Sequence, residues 1–563
     1  MRRVADSIAE TLRAQEIEIF FMLTGGDPAL WTALQREGIR MIPCRSEQGA
    51  AYMADGYARM TGRPTFVYGQ HGPGSANIAS ALADAYWAMS PVVSLTSSVP
   101  AATRDRHEYQ SLDQLAMHRP VTHWAGEALR GEHVRSMLLR SMHEAVSAPG
   151  PAHLDVPRDV LAAPLAPEVE TGGPTARLRA PQYRMAPAPQ LLDTVLARLS
   201  AARRPVIMAG SGARASGVDE ELHRLAEALQ SPVVTSIGGK ASISEAHPLA
   251  VGVAGRYAAG VANAVVSEAD VVLVLGSRLG SVTSDSFALF SSADLIRVDT
   301  RSDALDPSAA INVRADVKLT VRALLDAIAA GGEAVLGARD ASWVASVTQR
   351  VAGWRDSALK VPGAGGDAEC MHPREVVSAV SDALSPSDVV VADTGYMAAW
   401  AGVLYQARQA GNTFLRAAGS LGWAIPGAFG AQLAVPDRRV VCITGDGGAG
   451  YNLAELETAV RVGIPATIVV VNNGTLAFEY HLQKYVEKNV IDEINDFSDV
   501  DYGAVARSLG AEGVLVRSRS ELGDALAAAL RSDAPTLIDA RVDREAIAPV
   551  TSYASQGMDP SAV

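Results

Sequence analysis

Val440-Val441-Cys442-Ile443-Thr444-Gly445-Asp446-Gly447-Gly448 decides the fold of this chain: a short β-branched run that stops at a glycine-rich acidic turn. A second such run, Thr467-Ile468-Val469-Val470-Val471, stops at Asn472-Asn473, with 24 residues between Gly447 and Asn472. Apolar runs of this length bounded by turn signals read as strands of a parallel sheet buried on both faces. In such sheets ligands bind beyond the carboxyl ends of the strands. Mg2+ takes hard oxygen ligands and leaves several positions to phosphate and water, so Asp446 and Asn473 supply a sufficient protein set. Gly445, Gly447, Gly448 and Gly450 keep side chains away from an approaching phosphate. The helix that follows is expected to begin near Leu453, with its free amides turned to the anion. Either motif alone reads as an ordinary turn or loop. Together, on successive strands, they read as a site for a divalent metal that carries a diphosphate.

Working outward, the segment Cys44 to Arg59 reads as a helix with small residues at 49, 50, 51, 54, 56 and 58, packed closely on its neighbours. Glu47 opens it. A carboxylate there is either a capping charge favoured by the helix dipole or a functional group. Two Pro/Gly-rich stretches, 162–189 and 361–367, break the chain into three parts of similar size, near 165–185 and near 365. Each part alternates short β-branched runs (Val92–Thr96, Pro205–Ala209, Val271–Leu275, Val389–Ala392) with longer amphipathic ones, which predicts three parallel-sheet α/β domains at 1–165, 185–335 and 366–545, with a tail at 546–563.

Composition bounds the function. The chain has 563 residues, enough for several cores, with 48% hydrophobic and 20% charged residues as in ordinary globular proteins. A net charge of −13 argues against nucleic acid or an anionic membrane as the natural partner. Three cysteines, Cys44, Cys370 and Cys442, are too few for a disulfide framework. Met1-Arg2-Arg3 leads into acidic residues with no apolar core after it, and no run approaches the roughly 18 apolar residues of a membrane span, so a cytoplasmic protein is expected.

GDG followed by NN resembles the signature of the thiamine diphosphate-dependent enzymes. The resemblance implies thiamine diphosphate and Mg2+ as cofactors, with the metal held by Asp446, the Asn473 side chain and the Thr475 carbonyl. It covers nearly the whole chain and implies pyrimidine-binding, central and diphosphate-binding domains in that order. Arg45-Ser46-Glu47 with Ala50, Ala54, Gly56-Tyr57-Ala58-Arg59 is similar to the family's pyrimidine-domain helix. Its glutamate would hydrogen-bond the aminopyrimidine ring and favour the imino tautomer that removes the thiazolium proton. Because the end domains grasp opposite ends of one cofactor, Glu47 of one chain and Asp446 of its partner would share it, in a homodimer or homotetramer.

Further motifs resemble the acetolactate synthase-like branch, which also contains benzaldehyde lyase. Gln70-His71-Gly72-Pro73-Gly74-Ser75-Ala76-Asn77 stands where that branch has S-G-P-G-x-x-N, with His71 in place of serine, and Gln110 to Gln114 matches its Q-x-x-D-Q segment. The resemblance makes Glu47, Gln110 and His71 the catalytic candidates, and a loop-stabilising hydrogen bond is the alternative for His71. Cofactor contacts would come from Pro73, Asn77, Thr394, Gly395, Leu421, Gly445, Gly447, Gly448 and Thr475. Leu421 occupies the place of an apolar wedge beneath the cofactor, or it is core. Gly25, Gly26, Gln70, Leu476, Glu479 and Tyr480 are candidates for the substrate pocket, with a solvated helix face as the other reading of Glu479 and Tyr480. The tail Ser555–Pro560 resembles that of benzaldehyde lyase. Gly210-Ser211-Gly212 is a fragment of a dinucleotide fingerprint. In relatives the central domain binds FAD, but the flavin-associated acidic pair is missing after Arg278, so an empty central domain is favoured. The expected activity is carbon–carbon bond cleavage or formation on 2-keto acids, acyloins or aldehydes. The alternatives are benzaldehyde lyase-like acyloin cleavage, an FAD-containing pyruvate oxidase-like oxidoreductase and a non-catalytic paralogue.

Overall fold

The computed structural model describes residues 2–104, 106–165, 176–331, 339–358, 360 and 370–550. Residues 166–175 of the expected break at 162–189, the break at 361–367, and Ser555–Pro560 of the tail lie outside them. The first sheet contains β1 (Ile19–Met22), β2 (Arg40–Pro43), β3 (Thr65–Gly69), β4 (Val92–Ser98), β5 (Trp124–Glu127) and β6 (Ala152–Pro157). The second contains β7 (Pro205–Ala209), β8 (Val233–Thr235), β9 (Ala250–Val253), β10 (Val271–Leu275), β11 (Asp294–Asp299) and β12 (Ile311–Arg314). The third contains β13 (Val389–Ala392), β14 (Phe414–Arg416), β15 (Val440–Gly445), β16 (Thr467–Asn472), β17 (Glu512–Val516) and β18 (Thr536–Arg541). Neighbouring strands pair in parallel throughout. The β-branched runs read from the sequence are these strands, and β3, β4, β7, β10, β13 and β16 are buried along their whole length.

Strand order positions the site. The first sheet runs β2-β1-β3-β4-β6-β5 and the third β14-β13-β15-β16-β18-β17, the same order transposed by twelve strands. In each, the chain turns one way after the first strand and the other way afterwards, which opens a crevice at the carboxyl ends between β1 and β3 and between β13 and β15. Ligands of open α/β sheets bind in such crevices. The turns around them are Gly25-Gly26 and Gln70-His71 in the first sheet, and Asp393-Thr394-Gly395 and Gly445-Asp446 in the third.

The two sheets are joined through the helices Glu47–Thr61 and Ala424–Ala434. Their backbones nearly touch: a Cβ built on Gly56 would run into the Gly427 carbonyl, and one on Gly430 into the Met53 carbonyl. The small residues read from the sequence serve this approach. In the central sheet, Gly212 lies against the backbone of Gly276, with a Cβ only 2.9 Å from the Gly276 Cα. Close packing of the helix Ser211–Ser216 on the turn after β10 accounts for that glycine. Among the described residues no helix is long and apolar enough to cross a membrane.

Candidate functional site

The third-sheet half of the site begins where β15 ends. The helix starts at Asp446 itself and runs to Asn452, followed by a second from Glu455 to Val462, which corrects the expected start near Leu453. The glycines let the turn pass directly into helix, so Asp446 occupies the first turn. Asp446 is 4% exposed, and among the described residues its carboxylate accepts only from backbone N–H groups: Gly447 at 2.8 Å on Oδ1, and Asn473 at 3.2 Å and Gly474 at 2.6 Å on Oδ2. Burial pushes its pKa up to about 6 against those hydrogen bonds. A buried carboxylate without a cation is the arrangement that a metal relieves. The Asn473 Oδ1 accepts from Thr475 N at 3.2 Å, and the buried Thr475 Oγ1 has no hydrogen-bond partner among the described residues. Among the described residues no three His, Cys, Asp or Glu side chains converge. The donors here are a carboxylate, an amide oxygen and a carbonyl, a set that fits Mg2+.

Open space adjoins these donors. A Cβ added at Gly395 or Gly474 would meet nothing within 4 Å, and both backbones are left-handed, at φ 66° and 71°. Asp393 closes the floor: it accepts from Thr394 N at 2.9 Å, Thr444 Oγ1 at 2.8 Å and Gly422 N at 3.2 Å, and burial pushes it up to about 7. Leu421 is half-buried and belongs to neither core cluster around the third sheet.

The first-sheet half gathers at the ends of β1, β2, β3, β4 and β6. Ser46 caps the helix by accepting from Gly49 N at 2.9 Å, which leaves Glu47 in the first turn with its carboxylate turned outward. Asn77 Nδ2 donates to Glu47 Oε2 at 3.0 Å, and a Cβ on Gly74 would stand 2.8 Å from Oε1, so Gly74 clears the space that the carboxylate uses. Pro73 opens the helix that carries Asn77. Gln114 holds this loop, accepting from Gly72 N at 2.7 Å and donating to the Ser97 carbonyl at 3.1 Å. Gln70 donates to Gln110 at 3.4 Å and packs on Gly25, whose Cβ would lie 2.7 Å from Gln70 Oε1. His71 is buried, its Nδ1 is unpartnered among the described residues, and burial together with the nearby Arg158 guanidinium holds its pKa below the usual value.

Beyond Thr475, Leu476 touches Gly447, while Glu479 is exposed. Tyr480 turns its hydroxyl to Glu545 at 2.7 Å beneath the Arg544 guanidinium. His481, one residue on, is fully buried between the Tyr396 hydroxyl and the Arg544 carbonyl, and burial lowers it to about 4.

Three groups link the halves and escaped the sequence reading. Glu455 reaches from the third sheet's helix to Arg45 N at 3.1 Å and Ser46 N at 3.0 Å, immediately before Glu47. Asp84 accepts from the backbone of Ala418, Gly419 and Ser420, immediately before Leu421, and pairs with Arg59 at 2.7 Å. Asp55 binds Arg59 and accepts from Trp423 Nε1 at 2.8 Å. An acidic residue between the small residues Ala54 and Gly56 was the available signal for Asp55; Asp84 and Glu455 offered none. Among the described residues, no hydrogen bond or ion pair joins Glu47 to Asp446, Asn473 or Thr475 of the same chain.

Comparison with known proteins accords with this geometry. The chain matches the families described as thiamine pyrophosphate enzyme, N-terminal TPP binding domain over residues 2–117, central domain over 192–324 and C-terminal TPP binding domain over 393–540. It is 30% identical to a probable acetolactate synthase large subunit of Methanocaldococcus jannaschii over 96% of this chain and 92% of the relative. It is 31% identical to a sulfoacetaldehyde acetyltransferase of Alcaligenes xylosoxydans over 88% and 84%. A solved structure, the thiamine diphosphate-dependent 4-hydroxybenzoylformate decarboxylase of Rhodococcus jostii, superposes with a TM-score of 0.81 over 96% of this chain and 99% of that one, at 23% identity, and so shares the fold. With matches to all three domains in order and two half-sites at equivalent edges of its outer sheets, the chain belongs to the thiamine pyrophosphate enzymes.

Proposed function

We propose that this protein uses thiamine diphosphate and Mg2+ to break or form the bond between a carbonyl carbon and its neighbour, in 2-keto acid decarboxylation, in carboligation, or in both. The observation that carries the reading is the pair of half-sites: Glu47 with Asn77 on one sheet edge, and Asp446 with Asn473 and Thr475 on the equivalent edge of another, with no hydrogen bond or ion pair between Glu47 and those three among the described residues of one chain. A homodimer, alone or paired into a tetramer, brings Glu47 of one protomer to the metal site of its partner. Relatives with three different names share this scaffold, so the family alone leaves the reaction open.

Asp446, Asn473 and the Thr475 carbonyl would hold the metal, and the backbone of Gly445–Gly448 would receive the diphosphate. When bound, the coenzyme supplies a nucleophilic carbon and an electron sink. Glu47 would hydrogen-bond the pyrimidine ring, and Asn77 fixes its carboxylate for that contact. Leu421 would give the rings an apolar support. Gln110, held by Gln70, orients the substrate carbonyl. His71, kept neutral by burial, exchanges a proton through its unpartnered Nδ1.

Calorimetry with thiamine diphosphate, with and without Mg2+, tests the cofactor, and mass spectrometry of products from a panel of 2-keto acids and acyloins tests the reaction. Magnesium-dependent binding together with carbon dioxide or a coupled hydroxyketone is expected. No binding by folded protein refutes the reading.

A further inference from the structure

Arg158 is the first residue after β6, at the carboxyl edge that also carries Glu47, Gln70 and Gln110. Its Nη2 donates to the Gly26 carbonyl at 3.0 Å. A Cβ at Gly26 would come within 3.3 Å of the guanidinium carbon, so glycine at 26 is what lets the cation lie on the β1 turn. Its Nε stands 3.7 Å from Asp27 Oδ1. Asp27 is itself anchored, since its other oxygen takes the Tyr68 hydroxyl, which also bonds Ser97 at 3.1 Å. The guanidinium is thus oriented from behind, yet its side chain remains 42% exposed and its Nη1 has no hydrogen-bond partner among the described residues. The buried, unpartnered Nδ1 of His71 lies within its field. Along this edge Glu47 meets Gly74 and Asn77, Gln110 meets Gly72 of the same loop and Gln70, Gln70 meets Gly25, and Gly26 meets Arg158.

We propose that Arg158 is the anion-recognition residue of the substrate pocket, and that the substrate carries a second acidic group remote from the reacting carbonyl. The proposal rests on the reaction class above. A cation is useful here only against a charge that persists through the reaction. Pairing it with the carboxylate that leaves as neutral carbon dioxide would stabilise the reactant more than the transition state. Arg158 shares this edge with Glu47 but none of its contacts, where a distal group would reach it, and a guanidinium offers the paired donors that a planar acid accepts.

The test compares holoenzyme on 2-oxobutanedioate, 2-oxopentanedioate and 2-oxohexanedioate, each against the 2-oxo monoacid of equal length. Wild type should favour one diacid by roughly tenfold or more in kcat/KM, the scale of a charge-assisted hydrogen bond. That ratio should fall to about one in Arg158→Gln and recover in part in Arg158→Lys. Calorimetry with the unreactive pentanedioate and pentanoate gives a second readout, in which Arg158→Gln should lose the diacid's advantage. A purely structural Arg158–Asp27 pair would instead lower diacid and monoacid alike, and that result overturns the proposal. If pentanedioate binds through Arg158 while no keto acid is turned over, the anion site stands and the reaction class falls. Turnover with an unchanged ratio in Arg158→Gln sinks the anion site and leaves the class standing.

Discussion

Asp84 is the position where one substitution should disturb stability and cofactor binding together, and the geometry fixes the size of the effect. The carboxylate is 2% exposed. Its Oδ1 accepts from Gly419 N and Ser420 N, both at 2.9 Å, and its Oδ2 from Ala418 N at 3.0 Å and Arg59 Nη2 at 2.7 Å. Asparagine is nearly the same shape but has one acceptor oxygen, so in either orientation two donors face an NH2 group. Removing one partner of a buried ion pair costs about 3–5 kcal/mol. Arg59 keeps Asp55, which moderates that term, while an unpaired buried N–H adds about 1–3 kcal/mol. Asp84→Asn should therefore lose about 3–5 kcal/mol, read as a lowered urea midpoint with tryptophan fluorescence following Trp423, which packs under Arg59 at 4.4 Å. Because the freed backbone is 418–420, next to Leu421, thiamine diphosphate affinity should fall with it. A midpoint within the error of wild type, or a destabilised protein with unaltered cofactor affinity, would refute the reasoning.

Glu47→Gln should retain magnesium-dependent cofactor binding and lose about 10²–10⁴-fold in kcat, the usual worth of positioned acid–base help; wild-type turnover would remove Glu47 from the mechanism. Gly430→Ala forces a methyl group into the Met53 carbonyl, and with no flexible side chain to yield it should cost about 3 kcal/mol or more, above the ordinary overpacking range, measured as a loss of thermal stability and of cofactor affinity. Acid should weaken the fold through His118, which lies stacked on His153 at 3.6 Å and bonds Ser75 at 2.9 Å. Burial lowers His118 to about 4, so between pH 6.5 and 4 the unfolded chain binds the extra proton. Its contribution is intact above about 6.5 and is lost as pH falls, to a limit of about 3 kcal/mol. Urea midpoints at successive pH values should decline over that window, and less steeply in His118→Gln.

Local chemistry was legible from the residues alone. The β-branched runs gave the strands because double-sided burial selects such residues wherever a parallel sheet forms. Gly445–Gly448 with Asn472–Asn473 marked the third-sheet half of the candidate site, since few turns combine bare backbone with oxygen donors, and the small-residue face of Glu47–Thr61 announced a backbone approach that the Gly56 and Gly430 contacts realise. Only tertiary structure decided the rest. The helix start at Asp446 depends on how the turn closes over Asn473 and Gly474, and the shared strand order of the outer sheets follows from crossovers that no local window records. Asp84 meets its backbone partners 334 to 336 positions further along the chain, and Arg158 meets Gly26 across 132. Isolated charges carry no local pattern, and their meaning comes from which strand ends the fold brings side by side.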